Sequence, residues 1–183
     1  CWLTEDHRYL LLGDELDEQN QGFNTRTLIW DVQDLENPFL LGEHFSEVGA
    51  IDHNQYVVGN LLFQSNYRAG LRMLSLTDVA DGQLSEIGYF DVDPNSDAAL
   101  FSGTWSNFPY FESGLVVVTS IDGGIFIVRP RFMEVEAVND SVCSGSDLVV
   151  AVEILDGLLP PYALSVPDLP DGVILNGFPS TLE

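Results

Sequence analysis

Tyr56-Val-Val-Gly-Asn-Leu-Leu-Phe-Gln-Ser-Asn-Tyr-Arg-Ala-Gly-Leu-Arg-Met-Leu-Ser-Leu76 and Tyr110-Phe-Glu-Ser-Gly-Leu-Val-Val-Val-Thr-Ser-Ile-Asp-Gly-Gly-Ile-Phe-Ile-Val-Arg-Pro130 are one pattern written twice. They align without a gap at an offset of 54 residues (110 − 56). Tyr56/Tyr110, Leu61/Leu115 and Gly70/Gly124 are identical, and apolar positions match apolar ones through most of both runs. Short runs rich in Val, Ile and Phe, punctuated by turn residues, predict strands. Helical periodicity fails along the chain, so no helix is expected. Leu115-Val-Val-Val118 suits a strand buried on both faces. Gly123-Gly124 reads as a turn pair, with Gly70 at the equivalent place.

A third copy lies upstream. Tyr9-Leu-Leu-Leu-Gly-Asp14 matches the first strand of the pattern, and Thr27-Leu-Ile-Trp-Asp-Val32 matches Leu71 to Leu76 at an offset of 44 (71 − 27). A longer loop, Glu15 to Arg26, separates them. The strand that follows repeats as well, since Leu40-Leu-Gly-Glu-His-Phe45 is similar to Glu86-Ile-Gly-Tyr-Phe90 around Gly42 and Gly88. Each copy reads strand, turn, strand, polar turn, strand. Periods of about 40–50 residues with several strands each predict β-propeller blades. One small sheet cannot cover both of its faces, so it stacks on a neighbour. The expected fold is all-β, with about three blades of a partial ring over residues 1–131. Trp2, Trp30, Trp105, Phe108, Tyr110 and Phe111 are expected in the core between blades.

The charge is lopsided. The 183 residues carry 29 acids and 6 bases, all arginine, for a formal net charge of −23. Such a field repels phosphate, so nucleic acid is excluded as a natural partner, and anionic membrane surfaces are disfavoured. No apolar run approaches the ~20 residues that span a bilayer, so no transmembrane segment is expected. The opening residues Cys1-Trp-Leu-Thr-Glu-Asp6 form no leader peptide, and the protein's start is expected further upstream. Cys1 and Cys143 are too few for a disulfide framework.

The motifs carry a resemblance. Trp2-Leu-Thr-Glu-Asp6, Asp14-Glu-Leu-Asp-Glu18, Asn24-Thr-Arg-Thr27, Ile51-Asp-His-Asn54, Asn66-Tyr-Arg-Ala-Gly-Leu-Arg72 and Trp105-Ser106, in that order, resemble the choice-of-anchor B family. Gly70-Leu-Arg-Met-Leu-Ser75 and Gly124-Ile-Phe-Ile-Val128 stand where that family has its LVIVD-type repeat cores. The resemblance covers about residues 1–131. It implies a secreted or surface-anchored bacterial propeller and names no catalytic residue. From about residue 132 the style changes. Val142-Cys-Ser-Gly-Ser-Asp-Leu-Val-Val-Ala-Val-Glu-Ile154 and Leu169-Pro-Asp-Gly-Val173 resemble Ig-like or fibronectin-like modules. A sandwich of that kind needs ~100 residues, so residues 132–183 are expected to be a truncated β-sandwich-like module.

Several clusters are candidates for chemistry. Asp14, Glu15, Asp17, Glu18 and Asn20 are the densest set of hard oxygen donors, and calcium is the cation such a loop would hold. A solvated surface loop is the rival reading. Asp91-Val-Asp-Pro-Asn-Ser-Asp97 opens like a calcium loop, but Ser96 stands at its required glycine, which favours a polar connection. Asp52-His53-Asn54 reads either as a ligand cluster at the mouth of a ring or as hydrogen-bonded structure. Asn66 and Ser120 are equivalent in the repeats, with Asp14 a looser counterpart. Arg68 beside Asn66 either clamps a carboxylate ligand or pairs with one of the many acids. The ligand-binding candidates are therefore Asp14, Asn66, Arg68, His53 and Asn54. No nucleophile elbow, phosphate loop or dinucleotide fingerprint occurs. The leading expectation is a non-enzymatic, extracellular binding module for a protein or glycan at the cell surface, stabilised by calcium. The alternatives are a hydrolase acting on polysaccharide or phosphoester through carboxylates such as Asp14 and Glu15, and a structural spacer.

Overall fold

The computed structural model describes residues 1–130, 133–137 and 150–154. The chain divides into two compact units, residues 1–130 and 131–183. The first unit holds three antiparallel meanders, each built from consecutive strands. The first sheet contains β1 (Trp2–Leu3), β2 (Tyr9–Gly13), β3 (Arg26–Asp31) and β4 (Phe39–Phe45) in that order. The second contains β5 (Asn54–Val58), β6 (Leu61–Ser65), β7 (Leu71–Ser75) and β8 (Ser85–Phe90). The third contains β9 (Thr104–Phe108), β10 (Val116–Ser120) and β11 (Gly124–Val128). In the second unit, β12 (Met133–Ala137) pairs antiparallel with β13 (Val150–Ile154). The rest of the expected sandwich module lies outside the described residues.

Period-2 alternation explains the packing of the first unit. Leu62 and Leu74 are registered partners in β6 and β7, and both pack with Tyr9, Leu11 and Ile29 of the first sheet. Phe63 and Met73, the next registered pair, point the other way and pack with Val116 and Val118 of the third. The second sheet thus lies between the other two, with apolar core on both faces. The far faces carry apolar side chains too. Ile125 and Ile127 of β11 are 71% and 67% exposed, and Leu40 of β4, opposite Trp30, is exposed.

The repeats are visible in the backbone. Gly70 and Gly124 both have positive φ, at 79° and 83°, a region a Cβ disfavours. Each opens the strand pairing that the offset of 54 predicts. The sheets also share an irregularity: β3 and β4 slip register between Ile29 and Trp30, and β7 and β8 between Met73 and Leu74. Gly42 lies opposite Ile29 and Gly88 opposite Met73, so the recurring glycines flank equivalent bulges.

Four sequence expectations need correction. Tyr9–Gly13 is the second strand of its sheet, paired on β1, not the first. Tyr110 follows β9 instead of lying in it; Phe108 takes the place of Tyr56, facing Val117 as Tyr56 faces Phe63. The ungapped alignment hid this because the β9–β10 connection is longer than the tight β5–β6 turn. Trp2, Trp105, Phe108, Tyr110 and Phe111 are exposed and not in a core between the described sheets. All but Trp105 form an edge-on chain instead, with Trp2 on Tyr56, Tyr56 on Tyr110, and Phe108 on both Tyr110 and Phe111. Finally, the loop after β2 contains a short helix, α1 (Asp17–Gln21), closed by Gly22 at φ 71°, and Val79–Asp81 form a single 3-10 turn.

Candidate functional site

In an antiparallel meander, alternate connections fall at the same end of the sheet. Five such connections meet here: residues 14–25, 46–53, 66–70, 91–103 and 121–123. Hydrogen bonds join them in a chain. His53 Nδ1 lies 2.5 Å from Glu15 Oε1, and Tyr67 donates its hydroxyl to the same oxygen at 2.7 Å. Arg68 donates to Ser96 and Ser102, both at 2.8 Å, with Asp93 at 3.5 Å. Gln19 donates to the Ala99 carbonyl, and the Ile121 amide to the Gly103 carbonyl.

The candidates occupy this end but play different parts. Glu15 and His53 touch, and the His53 ring lies 4.3 Å from that of Trp105, which is half exposed. Asn54 donates to the Trp105 carbonyl. Arg68 is spoken for by Asp93, Ser96 and Ser102, so the Asp91–Asp97 segment is a polar connection held by that guanidinium. Asn66 is buried and donates to Gln64 Oε1. Asp14 and Asn20 are exposed. Asp14 accepts from the Leu16 amide and so shapes the entry to α1. Tyr67 was not singled out by sequence. It holds φ at 32°, rare for a side chain of its size, and its hydroxyl proton is held tightly by burial and by Glu15.

Beneath these groups lies a second cluster. Asp17 and Glu18 open α1, and Asp52 sits at the end of the link into β5. All three are buried, and their carboxylate oxygens approach within 4.8 Å of one another. Asp17 Oδ2 accepts from Arg26 Nε at 2.7 Å. Asp17 Oδ1, Asp52 Oδ1 and both Glu18 oxygens have no hydrogen-bond partner. Burial, with the neighbouring carboxylates adding to it, pushes Glu18 up to about 8 and Asp52 up to about 7. The nearby amides of Glu18 and Asp52 pull Glu18 down, but neither makes a hydrogen bond of normal geometry to it. Hard, unpaired oxygens in this density suit a hard cation. Of the five residues expected to hold a metal, the structure brings together Asp17 and Glu18, turns Glu15 to His53, and leaves Asp14 and Asn20 outside. Asp52 joins from a segment 34 residues beyond Glu18 (52 − 18), a contact that only the stacking of two sheets creates.

An aromatic flank, an acid–imidazole contact and a buried acidic pocket therefore share one end of the stacked sheets. No family model matches the chain, and neither does any curated protein or solved structure.

Proposed function

We propose that residues 1–131 are consecutive blades of a β-propeller and that the chain is a secreted or cell-surface binding module for a protein or glycan. The supporting observation is the convergence of five connections on one end of three stacked, repeat-related sheets. That is where a propeller gathers loops around a common surface. The apolar far faces of the first and third sheets fit the same reading, because blades cover one another in a ring. The resemblance to choice-of-anchor B proteins adds the extracellular setting.

Trp105 is the natural anchor of such a surface: half exposed, and held from behind by His53 and Asn54. Large aromatic side chains dominate recognition energies, and they stack on sugars or fill protein pockets. The test is retention of the chain on glycan and surface-protein arrays, followed by Trp105→Ala. The expected result is at least a tenfold loss of affinity with the melting midpoint unchanged. Turnover of a polysaccharide or phosphoester by the chain would replace binding with hydrolysis. Retention that Trp105→Ala leaves intact would move the surface elsewhere.

A further inference from the structure

We propose that Asp17, Glu18 and Asp52 form a calcium site that clamps the first sheet's acidic loop to the second sheet. The proposal stands apart from the propeller and partner readings, since it uses only contacts within residues 1–130.

Acidic clusters on surfaces are common and mean little. This one is different on three counts. First, it is buried: Asp17 and Glu18 are 4% exposed and Asp52 is 6% exposed. Carboxylates are almost never fully buried unless paired. Glu18 is the decisive group, because neither of its oxygens accepts a hydrogen bond and its carboxylate lies within 4.8 Å of both other acids. Burying an unpaired carboxylate costs several kcal/mol, and natural chains seldom keep such a group without a use for it.

Second, space is reserved for it. A Cβ at Gly13 would overlap Asp52 Oδ2, so the carboxylate rests directly on the backbone of β2. Any other residue at that position would expel it. Gly13 lies in regular strand pairing opposite Thr27, where a side chain would otherwise be expected.

Third, the charge and donor set specify the ion. Arg26 offsets one carboxylate through its 2.7 Å contact with Asp17. Arg26 also reaches Glu43, at 3.2 Å, so at least two of the three carboxylates are left without a cation, which suits a divalent ion. All the free donors are carboxylate oxygens, with no nitrogen or sulfur among them, which disfavours zinc and copper. One oxygen from each of the three acids lies within 4.8 Å of the others, close enough for a single ion to reach all three at Ca–O distances of ~2.4 Å. Magnesium demands a tighter octahedron at ~2.1 Å and gives up water reluctantly.

Such an ion would join α1 to the link before β5. His53 follows Asp52 and Glu15 lies two residues before Asp17, so the ion would also fix the contact between them.

The test is thermal unfolding of the whole chain in 150 mM NaCl, in chelator and then with calcium or magnesium chloride at 1 mM, together with calorimetric titration. Calcium should raise the midpoint by several degrees, and magnesium should do so much less. Glu18→Gln and Asp52→Asn should each weaken calcium at least tenfold. In chelator both variants should melt at or above the wild-type midpoint, because each replaces a buried carboxyl group that has unpartnered oxygen by a neutral amide. Asp14→Asn, on the exposed rim, should leave calcium affinity within twofold. Three results would overturn the site: no calcium shift at 10 mM, equal shifts in wild type and Glu18→Gln, or equal responses to calcium and magnesium. Glu18→Gln that melts far lower in chelator would overturn it as well, since the carboxylate would then be a structural partner.

Discussion

Two layers of buried polar side chains cross this stack, and they solve the same problem in opposite ways. One is built of amides. Gln55 donates to the Leu11 carbonyl at 2.7 Å, Gln64 to Thr27 Oγ1 at 2.6 Å and to Gln55 Oε1 at 2.9 Å, and Asn107 to Ser65 Oγ at 2.8 Å. Every amide nitrogen in that chain finds an acceptor, and the three sheets are stitched together by it; only the Asn66 and Asn107 side-chain oxygens go unused. The other layer is built of carboxylates, and it leaves four oxygens without a donor on three residues. Neutral amides carry both donor and acceptor, so a chain of them can close on itself. Carboxylates only accept, so a group of them needs charge from outside. The amide layer is complete as a fastening, whereas the acidic layer asks for something.

The largest expected effect removes the one cation the acidic layer already has. Arg26→Ala strips Asp17 of its guanidinium and should lower stability by about 3–5 kcal/mol, the cost of orphaning one half of a buried pair. Denaturant titration in chelator checks it, and a loss below 1 kcal/mol would erase the contrast between the layers. Next comes the amide layer. Gln64→Ala leaves the Gln55 oxygen and the Asn66 amide without partners and should cost about 1–3 kcal/mol. That loss should be the same in chelator and in calcium, which separates the two layers cleanly. The smallest effect belongs to His44, whose Nε2 is also buried and unpartnered. Imidazole has a way out that carboxylates lack here: burial pulls its pKa below 6.5, and the ring stays neutral. A base whose folded pKa is depressed contributes stability above its unfolded value, and loses it as pH falls through 6.5 toward the folded one. Wild type should therefore lose stability between pH 7 and pH 5 relative to His44→Gln, read as the difference between their midpoints.

Much of the scaffold was legible from local pattern. Short apolar runs that recur at fixed offsets, such as Leu61–Phe63 and Leu115–Val118, placed the strands, and Gly70, Gly124, Gly42 and Gly88 marked equivalent points of the copies. The acidic loop was also legible as a concentration of oxygen donors. Its geometry was not. α1 spans only five residues, too short for an apolar period to register, and its N-cap, Leu16, is not a capping side chain. Burial of Asp17 and Glu18 depends on what is stacked above them, which composition cannot report. Asp52 was noticed only as a neighbour of His53, because its meeting with Glu18 is a product of tertiary packing. The aromatics were misplaced for a related reason. Trp105 and Phe108 resemble core residues in type, but Phe108 alternates with Asn107, which takes the side facing the second sheet, and Trp105 lies at the β9 bulge, stacked on His53.

The paired bulges have a consequence for how the molecule keeps company with itself. β4 and β8 are the last strands of their meanders, and each is kinked at the same register beside a glycine. A straight edge strand offers a row of unpaired amides to any passing chain and so templates aggregation. A bulge twists that row out of line, so a neighbour cannot zip along it. The third meander has no fourth strand and slips between β9 and β10 instead, so the device belongs to the first two sheets, each of which carries its own resistance to fibre formation.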